Sequence, residues 1–161
     1  MDEQNKKLID SLISIEKLIL SSDNLVHVTY PVIGDPKLLL RALEDIGKAI
    51  VNNISIILRY EFIFNKVGLS SDKEKNLDLF FEKLYSKYGL TKSDVKSLKG
   101  LISLRKKQKE SVFEFTRDKE AVFYDDDMNL TKVGQSSLEV YLEVSKRLLL
   151  NTNKILGFRK V

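Results

Sequence analysis

Apolar positions recur along most of the chain at alternating steps of three and four, the spacing that keeps one face of an α-helix hydrophobic. Leu8, Leu12, Ile15, Ile19 and Val26 set that period and predict a first helix over residues 3 to about 29. Ser22 occupies one of the apolar slots, and "SSDN" (Ser21 to Asn24) offers a place to stop, but Val26 stays in phase and favours continuity. Pro31 disfavours the α region at Tyr30, so the helix is expected to end there. Asp35 followed by Pro36 is a start signal, an acidic N-cap and then proline at the first helical position. Leu39, Leu43, Ile46, Ile50, Ile57, Tyr60, Phe64 and Val67 then carry a second helix from Pro36 to about Val67. Within it Ile54 to Phe64 is apolar almost all round. Such a segment is covered by neighbours on several sides or lies in an oligomer interface, for which Ile54, Ile57, Leu58, Glu61 and Phe62 are the candidates.

Ser71 with Glu74 reads as a capping box for a third helix, about 72 to 88, whose stripe is Leu77, Phe80, Phe81, Leu84 and Tyr88, stopped by Gly89. Thr91 with Asp94 repeats the signal and opens a fourth helix to about Lys107, with Val95, Leu98 and Ile102 on its apolar face. The period then shortens to about two. Val112 to Thr116 and Ala121 to Tyr124 flank a polar turn and predict a small β-hairpin, which must lean on the helices because an isolated hairpin is marginal. Asp125 to Asn129 reads as a loop. The last helix is expected from about Lys132 to Leu156, with Leu138, Tyr141, Leu142, Leu148, Leu149, Ile155 and Leu156 inward and Gly157 as its stop. The sum is an all-α chain: one domain over residues 1–161, an up-and-down bundle of four or five helices with a β-hairpin at about 112–124 before the last helix.

Composition changes this picture little. The 161 residues are 43% hydrophobic and 31% charged, an ordinary globular profile. With no cysteine, a disulfide framework, a Cys-based zinc site and a thiol nucleophile are excluded. The opening "MDEQNKKLID" lacks the basic and apolar regions of a signal peptide, and no apolar run is long enough to span a bilayer. A cytoplasmic protein without a membrane partner is therefore expected.

The net charge of +4 is mild, but its distribution is uneven. Lys96, Lys99, Arg105, Lys106, Lys107 and Lys109 crowd the fourth helix, and Lys146 and Arg147 add to them from the last helix. Lys154, Arg159 and Lys160 extend the basic end. Residues 110 to 127 are acidic instead. Two readings follow: a phosphate-binding patch for RNA or DNA, or a solvated surface balanced by neighbouring acids.

His27 is the one histidine. Without a second His or any Cys it cannot build a usual zinc site, and Asp23 one turn earlier gives it a carboxylate neighbour. Asp125 to Asp127 do not match an EF-hand loop and read as a solvated turn that helps to cap the last helix. No metal or cofactor is expected. Arg41 and Asp45 form an i,i+4 pair, while Arg59 and Glu61, if buried, need partners such as a lysine on another helix. No phosphate loop, nucleophile elbow, HExxH or Ser-His-Asp set is present, so no catalytic residues are assigned. Thr29, Tyr30 and Asp35 at the first joint are the remaining candidates for an unrecognised reaction.

"TYPVIGDPKLLL" (Thr29 to Leu40) and "SVFEFTR" (Ser111 to Arg117) resemble a family of small archaeal proteins. That family shares a Thr-Tyr-Pro…Asp-Pro-Lys-Leu-Leu-Leu junction and a Ser-Pro-Val-Glu-Phe segment before a last helix. Val112 stands where those relatives have proline, and Gln108 stands near their histidine. The general shape is similar to HEPN-like helical bundles, some of which bind or act on RNA. Catalytic members resemble one another in an Arg-x(4–6)-His motif. Arg59, Arg105 and Arg147 have no histidine after them, so the resemblance implies a non-catalytic member. The first functional expectation is thus a non-enzymatic binding or scaffold protein that self-associates, as a dimer, or takes a protein partner. The alternative is an RNA- or DNA-binding module that uses the basic patch.

Overall fold

The computed structural model describes residues 2–111, 113–125 and 127–158. It is mostly helical, with a small antiparallel sheet before the last helix. The first helix, α1 (Glu3–Asn24), opens on Asp2, whose carboxylate accepts from the Gln4 amide. It runs unbroken through Ser21 to Asn24. Ser22 is fully buried in its apolar slot and donates back to the Leu18 carbonyl at 2.8 Å. Pro31 does not end the helix as expected. A single π-turn, Leu25–Thr29, widens the coil, and α2 (Tyr30–Ile33) continues it, with Tyr30 in the right-handed helical region. The wider turn is how the chain absorbs a proline: the Tyr30 amide reaches back five residues to the Leu25 carbonyl, and the missing Pro31 N–H falls where the ladder is already broken. Gly34, at φ 74°, stops the helix.

The central element is α3 (Lys37–Asn65). Pro36, rather than Asp35, is its N-cap and Lys37 its first residue; Asp35 lies one position earlier and accepts from the Lys37 amide at 3.0 Å. Leu39, Leu43, Ile46, Ile50, Ile54 and Ile57 line its fully buried stripe. It packs against α1, against α5 (Lys92–Lys109) and α6 (Gln135–Leu156), and touches the sheet at β2 (Glu120–Tyr124). The all-round apolar character of Ile54 to Leu58 is therefore answered within the chain, where Ile54, Ile56, Ile57 and Leu58 are buried.

The cap of α4 (Lys73–Leu79) is Asp72, not Ser71: its carboxylate accepts from the Glu74 amide at 2.9 Å. A second π-turn, Phe80–Leu84, follows and delivers Phe80, Phe81 and Leu84 to the core together with Tyr88. The chain closes at Gly89, where φ is 74° and an added Cβ would strike the Asn151 side chain. Asn151 donates to the Tyr88 carbonyl at 2.9 Å, so α6 is tied to this turn.

The expected hairpin is present, as β1 (Phe113–Arg117) paired with β2 around Asp118 and Lys119. Val112, placed at its start from the sequence, lies outside the described residues. A third strand, β3 (Leu130–Val133), completes the order β1-β2-β3. The last helix consequently starts at Gln135 rather than Lys132. Val133 faces inward as a strand residue opposite Ala121, and both are fully buried. Among the described residues no helix is long and apolar enough to cross a membrane.

Candidate nucleic-acid interface

The fourth helix of the sequence reading is α5, and its start is fixed by a reciprocal capping box. Thr91 accepts from the Asp94 amide at 3.1 Å, and Asp94 accepts from the Thr91 amide at 2.8 Å. Asp94 is the one acid within α5, and it is spent inside: Arg147 of α6 donates to its carboxylate as well. Burial pushes the Asp94 carboxyl up, but these hydrogen bonds outweigh it and hold it below its ordinary value. Leu98 and Leu101 fix the buried side of α5. Arg105, one turn past Leu101, shares that side. Its guanidinium grips Glu44 of α3 through Nε at 3.1 Å and Nη2 at 3.0 Å, a two-pronged pair that joins the helices. Its hydrogen bonds are the largest of the influences that hold the Glu44 carboxyl below the usual glutamate value. Gly47 makes the crossing possible, since a Cβ there would lie inside van der Waals contact with Arg105 Cδ.

The structure thus separates the eight basic candidates. Arg105 and Arg147 are structural, held by Glu44 and Asp94. Lys146 reaches Asp23 of α1 at 3.3 Å. Lys96, Lys99, Lys106 and Lys107 are exposed on the opposite side of α5, with Lys92 in line with them. Lys99 sits 5.7 Å over the Phe81 ring, and none of the five is ion-paired among the described residues. Lys109 turns towards α3, where its charge acts on Glu44. Arg159 and Lys160 lie outside the described residues.

At the opposite end of the sequence reading, Glu61 does not sit on an accessible face. It is 1% exposed and accepts from Lys87 Nζ at 2.6 Å, Tyr88 Oη at 2.7 Å and Asn65 Nδ2 at 2.8 Å. Of the five interface candidates Phe62 alone is exposed.

The first joint holds no assembled reaction centre from the expected trio. Tyr30 is buried and donates to the Lys119 carbonyl at 2.6 Å, Asp35 is exposed and accepts from the Lys37 amide, and Thr29 donates to Asn24 Oδ1. His27 lies between two carboxylates, with Nδ1 2.6 Å from Asp23 and Nε2 3.5 Å from Glu139 of α6. Asp125 does not cap the last helix. It accepts from the Asn129 amide at 2.8 Å and shapes the β2–β3 turn. No cluster of three or more metal-ligating side chains occurs among the described residues. The Arg105–Glu44 contact was missed because it pairs helices far apart in sequence, while the lysine partner that a buried Glu61 requires is Lys87, in the turn after the second π-turn. The one local signal was the phase of Arg105 with Leu98 and Leu101.

No family model, curated protein or solved structure matches the chain.

Proposed function

We propose that this chain is a non-enzymatic binding module, an up-and-down helical bundle that holds a nucleic-acid strand along the exposed side of α5. The observation that carries the reading is the lysine stripe Lys92, Lys96, Lys99, Lys106 and Lys107, which no acid of its own helix opposes. It extends over about 22 Å of helix, roughly 1.5 Å for each residue. Lysine ammonium groups in such a row neutralise successive phosphates without reading bases, so binding is strong at low salt and indifferent to sequence. The similarity of the general shape to HEPN-like bundles, some of which bind or act on RNA, points in the same direction. Reversing Lys96, Lys106 and Lys107 to glutamate tests the reading: binding to labelled RNA should be lost with the circular dichroism unchanged. Full retention by the folded triple variant would end it.

Self-association is the second reading, and it moves to a different place. Phe62, Ile63 and Phe64 are 54%, 51% and 67% exposed in succession at the end of α3. Phe62 lines a groove of about 500 Å³ together with Leu58, Leu69 and Leu77. A second copy of the chain would cover such a strip. Sedimentation would then give twice 18.5 kDa, and Phe64→Asp would return the protein to a single chain. A monomer at high concentration would contradict it.

A further inference from the structure

A cluster of basic side chains lies apart from the lysine stripe, on the side of α5 that faces α3. Lys37 and Arg41 from the first turns of α3, Gln108 and Lys109 from the last turn of α5, and Glu114 of β1 line one open pocket of about 590 Å³. Glu44 forms part of its wall, and its carboxylate is already taken by Arg105. The expected Arg41–Asp45 pair is not formed, and Lys37, Arg41 and Lys109 have no ion-pair contact among the described residues. Three cations therefore face a space whose two carboxylates are both hydrogen-bonded, Glu44 to Arg105 and Glu114 to the Ser111 hydroxyl at 3.5 Å. Gln108 supplies an independent observation. Its Oε1 is buried and accepts from no donor among the described residues, which is rare for a buried amide oxygen.

We infer that this pocket binds a small phosphate monoester that also carries a hydroxyl group. The phosphate would be held by Arg41, whose guanidinium matches two phosphate oxygens at once, with Lys37 and Lys109 adding charge. The hydroxyl would donate to Gln108 Oε1 and satisfy it. The Arg105–Glu44 pair joins the helices that carry Arg41 and Lys109, and Gln108 turns its covered Oε1 into the pocket to meet the hydroxyl. The inference does not depend on the nucleic-acid reading, because it uses other residues on another side of α5.

Calorimetric titration of the full chain with glycerol 3-phosphate, and with ethyl phosphate as the analogue without hydroxyls, tests it. Saturable binding of glycerol 3-phosphate is expected, tighter than that of ethyl phosphate. Arg41→Glu and Lys109→Glu should each weaken it by at least about tenfold, and Gln108→Leu should erase the preference over ethyl phosphate. Lys96→Glu, on the stripe, should leave it unchanged. Competition identifies the source of the phosphate. Displacement by a 5′-phosphorylated oligonucleotide but not by its 5′-hydroxyl form supports the pocket as a seat for a strand end, and no displacement supports a free metabolite. Absence of saturable binding at millimolar ligand, or equal binding by the folded Arg41→Glu protein, would overturn the inference.

Discussion

Gln135 Nε2 donates to the Val26 carbonyl at 2.9 Å, joining the first residue of α6 to the π-turn before Pro31. That carbonyl is open for a reason. The Tyr30 amide, its α-helical donor, bonds to Leu25 instead, and Pro31, the next residue, has no N–H. Val26 is fully buried, so the acceptor needs a partner from elsewhere in the fold.

Gln135→Leu should therefore cost about 1–3 kcal/mol, the penalty of an orphaned buried acceptor. Thermal unfolding should show it as a lower midpoint. Pro31→Ala gives the turn an N–H of its own, so the cost of Gln135→Leu should shrink in that background. Additive losses in the double-mutant cycle would sink this account of the π-turn.

Acid should weaken the fold through four carboxylates. Arg105 holds Glu44 down. Burial pushes Asp23, Glu61 and Asp94 up, but hydrogen bonds from His27 and Lys146, from Lys87, Tyr88 and Asn65, and from Thr91 and Arg147 outweigh it. All four lie below their ordinary values, so the unfolded chain binds protons first as pH falls. Their stabilisation is complete above the ordinary values of 4.5 for glutamate and 3.8 for aspartate, and is lost as pH drops below them through the folded values. Urea midpoints measured from pH 6 downward should fall in that window, and Glu61→Gln should flatten the slope.

Alkali should act through Tyr88. Burial, then its hydrogen bond to Glu61, pushes the phenol well above its ordinary value of 10.0. The unfolded chain releases that proton first, so stability is complete below 10.0 and declines as pH rises past it. Tyr88→Phe should be less stable near neutrality, by roughly 1–3 kcal/mol for the donor lost to Glu61, yet its alkaline limb should shrink to the part due to Tyr141, which burial also pushes up. An identical alkaline limb in the variant would contradict the assignment.

Gly47→Ala tests the Arg105 crossing. Alanine would normally favour a helix interior by about 1 kcal/mol over glycine. Here the Cβ collides with Arg105 and disturbs its two bonds to Glu44, so the substitution should destabilise the protein. In an Arg105→Ala background the collision disappears and the same change should stabilise it. Chemical denaturation of the four proteins reads both signs.

Helical phase made most of this fold legible, because α1, α3 and α6 each bury a periodic stripe. Pro31 misled, since the rule that a proline ends a helix does not foresee a π-turn that absorbs it. The strand β3 was hidden by its length: four residues with Val133 alone buried give no alternation strong enough to separate from the helix that follows. The candidate site was legible as charge and not as direction. "RKKQK" places five residues together, yet Arg105 faces inward and Lys106 and Lys107 face out, and only the phase with Leu98 and Leu101 distinguishes them. Glu61 reads as an interface candidate or as a buried acid in need of a lysine, and the choice is not legible because its partners, Lys87 and Tyr88, arrive from a distant turn that α6 holds through Asn151.

The most direct test of the central claim is the salt dependence of binding to a fluorescent single-stranded RNA, followed by anisotropy. Five lysines along α5 predict affinity that falls with salt at a logarithmic slope of roughly −3 to −4, about −0.7 for each phosphate neutralised. The triple reversal of Lys96, Lys106 and Lys107 should abolish it. No binding at low salt, or a slope near zero, would contradict the account.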